Sequence, residues 1–312
     1  MHVLCGTRQG VYRGRPGEFD DATRVLDSDR VMRIRQFGPR VYAATRSGLY
    51  RSLDGGDSWT RLETPQSEVY SVLEAPVGEQ LFAGTHPAHL YVSTDGGDSW
   101  TERAGLQRLP SRETWHTPRH RNEAHVRSLG AVGADRLVAG IEVGGVHRSE
   151  DDGATWTERN DGVHDDIHHV LVRDTDHWVA STGNGLYRTR DAGQTWTRLD
   201  EALSNRYFRE AFAHEGRLYA AATAGSPPTW GSPSDTDAAL YESDDDGDSL
   251  RPVEYAGGPG AFVLSWAADD GNVYAGTTSG LVLRRDDDGW FGVGSVPSAV
   301  ASLAAVAASE SR

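Results

Sequence analysis

Short apolar runs separated by turns rich in Gly, Asp and Asn recur along the whole chain. They read Val-Tyr-Ala-Ala-Thr at residues 41–45, Leu-Phe-Ala-Gly-Thr at 81–85 and Val-Tyr-Ala-Gly-Thr at 273–277, for example. Apolar runs of this length, bounded by turn residues, predict β-strands, and no segment shows the period of a long amphipathic helix. We therefore expect an all-β protein.

A motif of the form Ser-x-Asp-x-Gly-x-x-Trp, which we term the box, follows these strands at a regular interval. Four copies are complete apart from a Thr in place of Ser at Thr189, a fifth ends in Leu250 instead of Trp, and a sixth is reduced to residues 285–290. Successive box aspartates are 41, 56, 40, 54 and 42 residues apart, at Asp54, Asp95, Asp151, Asp191, Asp245 and Asp287. A period of about 40 residues predicts a propeller or another repeat array.

Each repeat contains four predicted strands: an inner apolar strand, a small-residue strand, a strand after a Gly turn, and the segment after the box. Four antiparallel strands form one propeller blade. Inner strands are predicted to start near residues 31, 69, 125, 167, 208 and 262, and a seventh, at 300–306, has no blade after it. Residues 1–26 match the three missing strands. We expect a seven-bladed β-propeller, a single domain over residues 1–312, whose seventh blade combines residues 1–26 with 299–307 and leaves no open edge.

The box residues are predicted to be structural. The Asp carboxylate can accept hydrogen bonds from the backbone of its own turn, the Gly takes a conformation that a Cβ would penalise, and the Trp packs between blades. The residues assigned to this role are Asp54, Trp59, Asp95, Trp100, Asp151, Trp156, Asp191, Trp196 and Asp245.

Two of the box intervals, 56 and 54 residues, exceed the others because they contain inserts. The inserts are residues 106–124, between two blades, and residues 224–238, between the second and third strands of one blade. Strand alternation places both on the face opposite the boxes, and inserts gathered on one face of a repeat protein indicate its binding face. Trp115 and Trp230 are expected to be exposed there and to contact a ligand.

Unusual polar residues are predicted on the same face, around the mouth of the central channel. His125 and Arg127 begin one inner strand, and Asp166 and His168 begin the next. Because the residues of each pair are two positions apart in a strand, their side chains point to the same face. The candidate acid–base residues are Glu142, Asp166, His168 and His125. The candidate ligand-binding residues are Trp115, His116, Arg119, His120, Arg127, Asn184, Tyr207, Arg209 and Trp230. The alternative is that these arginines and histidines only form ion pairs and hydrogen bonds within the fold.

The composition narrows the classes of partner. The chain has 46 acidic residues against 31 basic ones, all of them Arg, and a net charge of −15. An acidic surface without Lys indicates adaptation to high salt, although a GC-rich genome would also replace Lys by Arg. Phosphate binding needs a basic surface, so duplex nucleic acid is not expected as a partner.

The remaining composition signals concern redox chemistry and location. Cys5 is the single cysteine, so no intramolecular disulfide is expected. No apolar run reaches transmembrane length, and the first residues show strand character rather than the pattern of a leader peptide. We therefore expect a cytoplasmic protein without a membrane span.

The four close boxes in register resemble the Asp-boxes, or BNR repeats, of seven-bladed propellers described as sialidase-like, sortilin-like or photosystem-assembly-like. Residues 140–145 and 165–168 look like stretches in single-propeller BNR proteins of unassigned function from archaea and bacteria, and the composition indicates a haloarchaeal member. Resemblance extends over almost the full chain. Sialidase chemistry is not implied, because that family needs an arginine triad and an Arg-Ile-Pro signature that precedes the first box, and the signature is missing here.

Three functions remain open from the sequence. The first is binding of a small polar or carbohydrate ligand, or of a protein partner, at the channel mouth. The second is a glycoside hydrolase or lyase reaction at the channel mouth on a sugar or small polar substrate, with Glu142 and Asp166 as acid and base and the histidines sharing proton transfer. The third is a metal-dependent, lactonase-like hydrolase with a metal ion held by His125, Glu142 and His168. The sequence itself requires no cofactor.

Overall fold

The computed structural model describes residues 1–17, 19–133, 135–227, 236–269 and 271–307. Within these residues the chain is all-β, and short 3₁₀ turns occur between strands. No helix in the described part of the chain is long and apolar enough to cross a membrane.

The strands form seven four-stranded antiparallel sheets, and six of the seven consist of strands consecutive in the chain. The three N-terminal strands and the C-terminal strand of the remaining sheet are β1 (His2–Thr7), β2 (Gly10–Gly14), β3 (Thr23–Leu26) and β28 (Ser302–Val306). The next three sheets are β4 (Val31–Phe37), β5 (Arg40–Thr45), β6 (Gly48–Ser52) and β7 (Thr60–Leu62); β8 (Val69–Glu74), β9 (Leu81–Thr85), β10 (Leu90–Ser93) and β11 (Thr101–Glu102); and β12 (His125–Val132), β13 (Arg136–Glu142), β14 (Gly145–Ser149) and β15 (Thr157–Glu158). The last three are β16 (Ile167–Val172), β17 (Trp178–Thr182), β18 (Gly185–Thr189) and β19 (Thr197–Arg198); β20 (Tyr207–His214), β21 (Arg217–Thr223), β22 (Ala239–Ser243) and β23 (Arg251–Val253); and β24 (Val263–Ala268), β25 (Val273–Thr277), β26 (Leu281–Asp286) and β27 (Gly289–Ser295).

The seventh sheet is built from both ends of the chain, as the sequence predicts. Strand β28 pairs antiparallel with β1, with His2 opposite Val306 and Cys5 opposite Leu303. Its order is β28-β1-β2-β3, so the C-terminal strand supplies the inner position that the N-terminal strands lack. The predicted starts of the inner strands are confirmed to within two residues.

A bulge recurs at the second residue of most inner strands. In β12 the register shifts between Val126 and Ser128, and in β16 it shifts between Ile167 and His169. The same one-residue shift occurs in β4, β8 and β24, whereas the shift in β20 is longer. Bulges redirect the side chain of the extra residue and are common beside functional sites. In the neighbouring strands β8, β12 and β16 the redirected residues are Tyr70, Arg127 and His168.

In β8 and β12 a serine follows the bulge and joins its strand to a neighbouring inner strand. Ser71 Oγ donates to the carbonyl oxygen of Val126 at 2.7 Å, and Ser128 Oγ accepts from the Val170 N–H at 3.1 Å. Each bond pairs a backbone group of one inner strand with a serine of the strand before it.

Contacts group the chain into two compact units. We call Met1–Arg61 with Ser204–Arg312 the terminal unit, and Leu62–Leu203 the middle unit. The core of the terminal unit includes the aromatic residues Tyr219, Phe262, Trp266 and Trp290, and that of the middle unit is centred on Trp178.

The boxes are self-contained turns between the third and fourth strands of their sheets. Asp54 Oδ1 accepts from the Ser58 N–H at 2.9 Å and from Ser52 Oγ at 2.7 Å, and Trp59 Nε1 donates to the Gly56 carbonyl at 3.2 Å. These hydrogen bonds occupy the carboxylate within its own turn, as predicted. The same bonds to the aspartate recur at Asp95, Asp151, Asp191 and Asp245.

Candidate functional site

Seven polar residues meet at one end of the middle unit's sheets, where the inner strands begin and the second strands end. Glu142 is the last residue of β13, His125 is the first of β12, and Asp166 directly precedes β16. The box of the same blade begins at Ser149, the last residue of β14. The boxes therefore lie at the opposite end of these sheets. We call the group the acid–histidine cluster, which consists of Arg119, His120, His125, Arg127, Glu142, Asp166 and His168.

Backbone hydrogen bonds hold the two carboxylates of the cluster together. The Asp165 carbonyl accepts from the N–H groups of Gly144 and Gly145, each at 3.0 Å, which ties the turn after Glu142 to the segment that carries Asp166. The Asp166 carbonyl accepts from the Gly183 N–H at 2.9 Å. A Cβ at Gly183 would lie 2.3 Å from Asp166 Oδ2, so only glycine leaves room for this carboxylate.

Glu142 is buried, with 4% of its surface exposed, among three basic side chains. Its Oε1 lies 3.3 Å from His120 Nε2, and its Oε2 lies 3.2 Å from His125 Nε2 and 3.4 Å from Arg127 Nη1. Burial opposes ionisation, but His125 and the permanently charged Arg127, with His120 in contact, outweigh it and hold the pKa of Glu142 well below its usual value. Glu142 is therefore an ionised carboxylate at neutral pH.

Asp166 lies between a surface arginine and a buried histidine. Arg119 donates to Asp166 Oδ2 at 3.1 Å, and His168 Nε2 is 3.7 Å from Oδ1. Within the described residues, neither Asp166 Oδ1 nor Glu142 Oε2 has a partner in hydrogen-bonding geometry, although both atoms are buried. One ligand atom from each of Glu142, Asp166 and His168 lies within 4.8 Å of the other two. The metal set predicted from the sequence contained His125, but Asp166 takes its place in this triad.

His125 is completely buried against an aromatic ring. The ring centroids of Tyr70 and His125 are 4.0 Å apart, and the Arg127 guanidinium lies 5.8 Å from the Tyr70 ring centroid. Burial lowers the pKa of His125 to about 4, despite the opposing charge of Glu142. Burial therefore disfavours the protonated form of His125, whereas the neighbouring Glu142 carboxylate favours it.

The insert at residues 106–124 is anchored by Trp115, and the expectation that this ring is exposed is wrong. Only 2% of Trp115 is exposed, because its ring packs 4.8 Å from that of His147 on β14. Its Nε1 donates to Ser111 Oγ at 3.1 Å, and the Arg112 guanidinium lies 5.4 Å from its ring centroid. A buried indole with a satisfied N–H contributes packing rather than a ligand surface. His116, next to it, is exposed and outside the cluster.

After this anchor the insert makes a left-handed turn that carries His120 into the cluster. His120, Arg121 and Asn122 have φ values of 50°, 58° and 61°. Non-glycine residues adopt this region at a cost of roughly 1–2 kcal/mol each, and rarely in succession. The turn is held because His86 Nε2 donates to the His120 carbonyl at 2.9 Å. Strain maintained in this way is common at functional sites.

Glu68 and His86 contact the turn through Arg121 and the His120 carbonyl, and the sequence-based site omitted Glu68 and Arg121. Arg121 donates to both carboxylate oxygens of Glu68 at 3.0 and 3.1 Å. Partial burial opposes ionisation of Glu68, but the hydrogen bonds from Arg121 and His86 lower its pKa to about 2. Strand register could have identified Glu68, because it occupies in its blade the position of His125 and Asp166 in theirs.

Several predicted site residues make other contacts. Asn184 is exposed, and its Oδ1 accepts from Arg198 at 3.4 Å. Tyr207 is buried in the core of the terminal unit, 6.3 Å from the ring centroid of Phe262. Arg209 is half-buried in the bulge of β20. Trp230 lies outside the described residues. A ligand role for these residues stays a prediction.

Two buried histidines should make stability fall in mild acid. Burial lowers the pKa values of His125 and His147 to about 4, so between about pH 6.5 and 4 the unfolded chain binds protons that the folded chain excludes. We expect the free energy of unfolding to decrease by about 2 kcal/mol per histidine from about pH 7.5 to 5, measured by urea denaturation.

His147→Gln should make this pH dependence shallower, whereas His116→Gln, at the exposed neighbour of Trp115, should leave it unchanged. Equal slopes for the wild type and His147→Gln would contradict the assignment.

Comparison with known proteins gives the fold class. No family model and no curated protein sequence matches the chain. Among solved structures, YCF48 bound to D1 peptide is 18% identical with a TM-score of 0.62, over 84% of this chain and 81% of that one. YCF48 from Cyanidioschyzon merolae is 18% identical with a TM-score of 0.60, over 88% of each chain. The GH74 xyloglucanase from Xanthomonas campestris is 16% identical with a TM-score of 0.65, over 93% of this chain but 52% of that one.

At these identities the similarity establishes the fold alone. The chain is a seven-bladed β-propeller with four-stranded antiparallel blades. Its structural neighbours include YCF48 and GH74 propellers, and it spans about half the length of the xyloglucanase.

Proposed function

We propose that the chain binds a small polyhydroxylated ligand, of the size of a mono- or disaccharide, at the acid–histidine cluster. The observation that carries the proposal is the pair of buried carboxylates, Glu142 and Asp166, each with an oxygen that lacks a hydrogen-bond partner in the described residues. Burial of a carboxylate oxygen without a partner destabilises the fold. Groups kept at such a cost are typical of functional sites.

The chemistry of the cluster suits hydroxyl groups. Glu142 and Asp166 offer acceptors, whereas the half-exposed Arg119 and His120 offer donors at the solvent side. A sugar hydroxyl both donates and accepts, and pockets for small ligands combine a few such convergent groups. The strained turn at His120 and the absence of room at Gly183 keep the groups in place.

A protein partner is less well supported by the same surface. YCF48, a structural neighbour, binds a peptide. Docking of that kind favours a continuous apolar patch. Among the described residues the exposed large apolar side chains are Met1, Leu53, Val77 and Phe291, and none of these lies in residues 106–124.

Glycoside hydrolysis is a second candidate, favoured by the spacing of the carboxylates. The Glu142 and Asp166 oxygens lie within 4.8 Å, close to the roughly 5–5.5 Å of retaining glycosidases. The lowered pKa of Glu142 fits a nucleophile or base and does not fit the general acid, which must carry a proton. A screen with aryl glycosides in molar KCl tests this activity.

Binding is tested by calorimetric titration with cellobiose and with glucuronate, in molar KCl with EDTA present. We expect one site per chain, and we expect Asp166→Asn to weaken binding at least tenfold because it removes a charged acceptor. Asp287→Asn, at an exposed turn of the terminal unit, is the matched control and should bind as the wild type does. If neither sugar binds, or if Asp166→Asn binds both normally, the proposal is wrong.

A further inference from the structure

We propose that Glu142, Asp166 and His168 form a binding site for a divalent transition-metal ion. Glu142 ends β13, Asp166 directly precedes β16, and His168 is the bulge residue of β16. One ligand atom from each lies within 4.8 Å of the others, so small side-chain rotations bring all three to a common ion. Glu142, Asp166 and His168 are buried, with 4%, 8% and 1% of each residue exposed.

Two unpartnered oxygens point to the ion. Asp166 Oδ1 and Glu142 Oε2 are buried, and within the described part of the chain neither accepts a hydrogen bond in acceptable geometry. Both residues belong to the triad, and a buried carboxylate oxygen without a partner is costly unless something compensates it. A divalent ion between them would satisfy both lone pairs and cancel both charges.

The donor types indicate which metals fit. Two carboxylates and one imidazole suit Mn²⁺, Zn²⁺ or Fe²⁺, whereas Ca²⁺ and Mg²⁺ prefer oxygen ligands throughout. Three protein ligands leave coordination positions open for water or another ligand, as in catalytic rather than structural sites.

Neighbouring groups act as an outer layer that competes with or supports the ion. Arg127 lies 3.4 Å from Glu142 Oε2 and Arg119 lies 3.1 Å from Asp166 Oδ2, so both arginines neutralise the carboxylates when no metal is bound. His125 contacts the same Glu142 oxygen as Arg127 and can orient the carboxylate. Removal of the Arg119 charge should therefore strengthen metal binding, a result that a purely structural ion pair does not predict.

The inference rests on the proposed function only in sharing the acid–histidine cluster, and its test uses the metal alone. The protein, stripped with EDTA and dialysed, is titrated with Mn²⁺, and the free ion is followed by electron paramagnetic resonance. Molar KCl screens weak binding to the acidic surface. We expect one tight site per chain, an affinity at least tenfold lower in Asp166→Asn and in His168→Ala, and a higher affinity in Arg119→Gln.

Two further variants separate the site from folding and from surface charge. Gly183→Ala keeps every donor but places a Cβ against the Asp166 carboxylate, so it should also lose affinity while circular dichroism remains that of the wild type. The double variant Asp287→Asn, Asp288→Asn removes two exposed carboxylates elsewhere and should bind Mn²⁺ normally. The metal site is overturned if the wild type does not bind Mn²⁺, or if Asp166→Asn and His168→Ala bind it as tightly as the wild type does. Because sugar binding is measured with EDTA present, its outcome does not depend on metal binding, and the two proposals can fail independently.

Discussion

Replacing Glu210 by Gln is expected to lower the free energy of unfolding by about 3–5 kcal/mol, the usual cost of breaking a buried ion pair at one partner. Arg33 Nη1 lies 2.7 Å from Glu210 Oε2, with 7% and 5% of the two residues exposed. Arg33 occupies in β4 the position that Ser71 and Ser128 occupy in β8 and β12. Its ion pair joins the inner strands of two sheets in the terminal unit.

A second cation makes the loss of Glu210 more costly. Arg35 lies two residues further along β4, on the same side of the strand. Desolvation and the charge of Arg33 lower the pKa of Arg35 to about 10, and Glu210 opposes this shift. Without the carboxylate, two guanidinium groups would repel each other in a poorly solvated place.

Urea denaturation measures this effect, and two controls define it. Asp27→Asn removes an exposed partner of Arg24 and should change stability by less than about 1 kcal/mol. The double variant Arg33→Met, Glu210→Met should recover most of the loss, because a well-packed apolar pair can replace a buried ion pair. A loss below 1 kcal/mol in Glu210→Gln would show that the pair is not desolvated in solution.

Trp115→Ala is expected to detach the second half of the insert at a cost of up to about 3–5 kcal/mol, the range for buried Trp or Phe replaced by Ala. Trp115 holds this segment through its packing on His147 and its hydrogen bond to Ser111. Leu106 and the bond from Gln107 Nε2 to the Ala88 carbonyl anchor the first half independently. Local detachment would limit the loss of global stability.

Limited digestion with trypsin measures the detachment directly. Arg119 and Arg121 follow the anchor, and trypsin should cleave there much faster in Trp115→Ala than in the wild type. Binding at the acid–histidine cluster should weaken in parallel, because His120 would leave Glu142. Trp115→Phe should be intermediate, and His116→Ala, at the exposed neighbour, should resist digestion. A digestion pattern unchanged in Trp115→Ala would locate the anchor elsewhere.

The fold was accessible from the sequence because its signals are local and repeated. The period of the boxes, the apolar runs and the Gly turns predicted where inner strands begin, with β4, β8, β12 and β16 starting at the predicted residues. The completion of the last blade by β28 followed from counting strands, since an inner strand remained at one end and three outer strands at the other.

The site was accessible only in part. The spacing of two and the break in the repeat selected Glu142, His125, Arg127, Asp166 and His168, which the structure brings together. The sequence could not show that Asp166 rather than His125 completes the triad with Glu142 and His168. That choice depends on distances between side chains from different blades.

The amino-acid sequence by itself determined the blades, the hydrogen-bonded boxes and the place of the insert 106–124 between β11 and β12, because each depends on residues close together in the chain. Tertiary structure alone decided that Trp115 is a buried anchor, that His120 adopts a left-handed conformation, and that the Glu142 and Asp166 carboxylates lie within 4.8 Å of each other. These features arise from packing of the insert on β14 and from the bonds between the Asp165 carbonyl and the β13–β14 turn, contacts that no local pattern encodes.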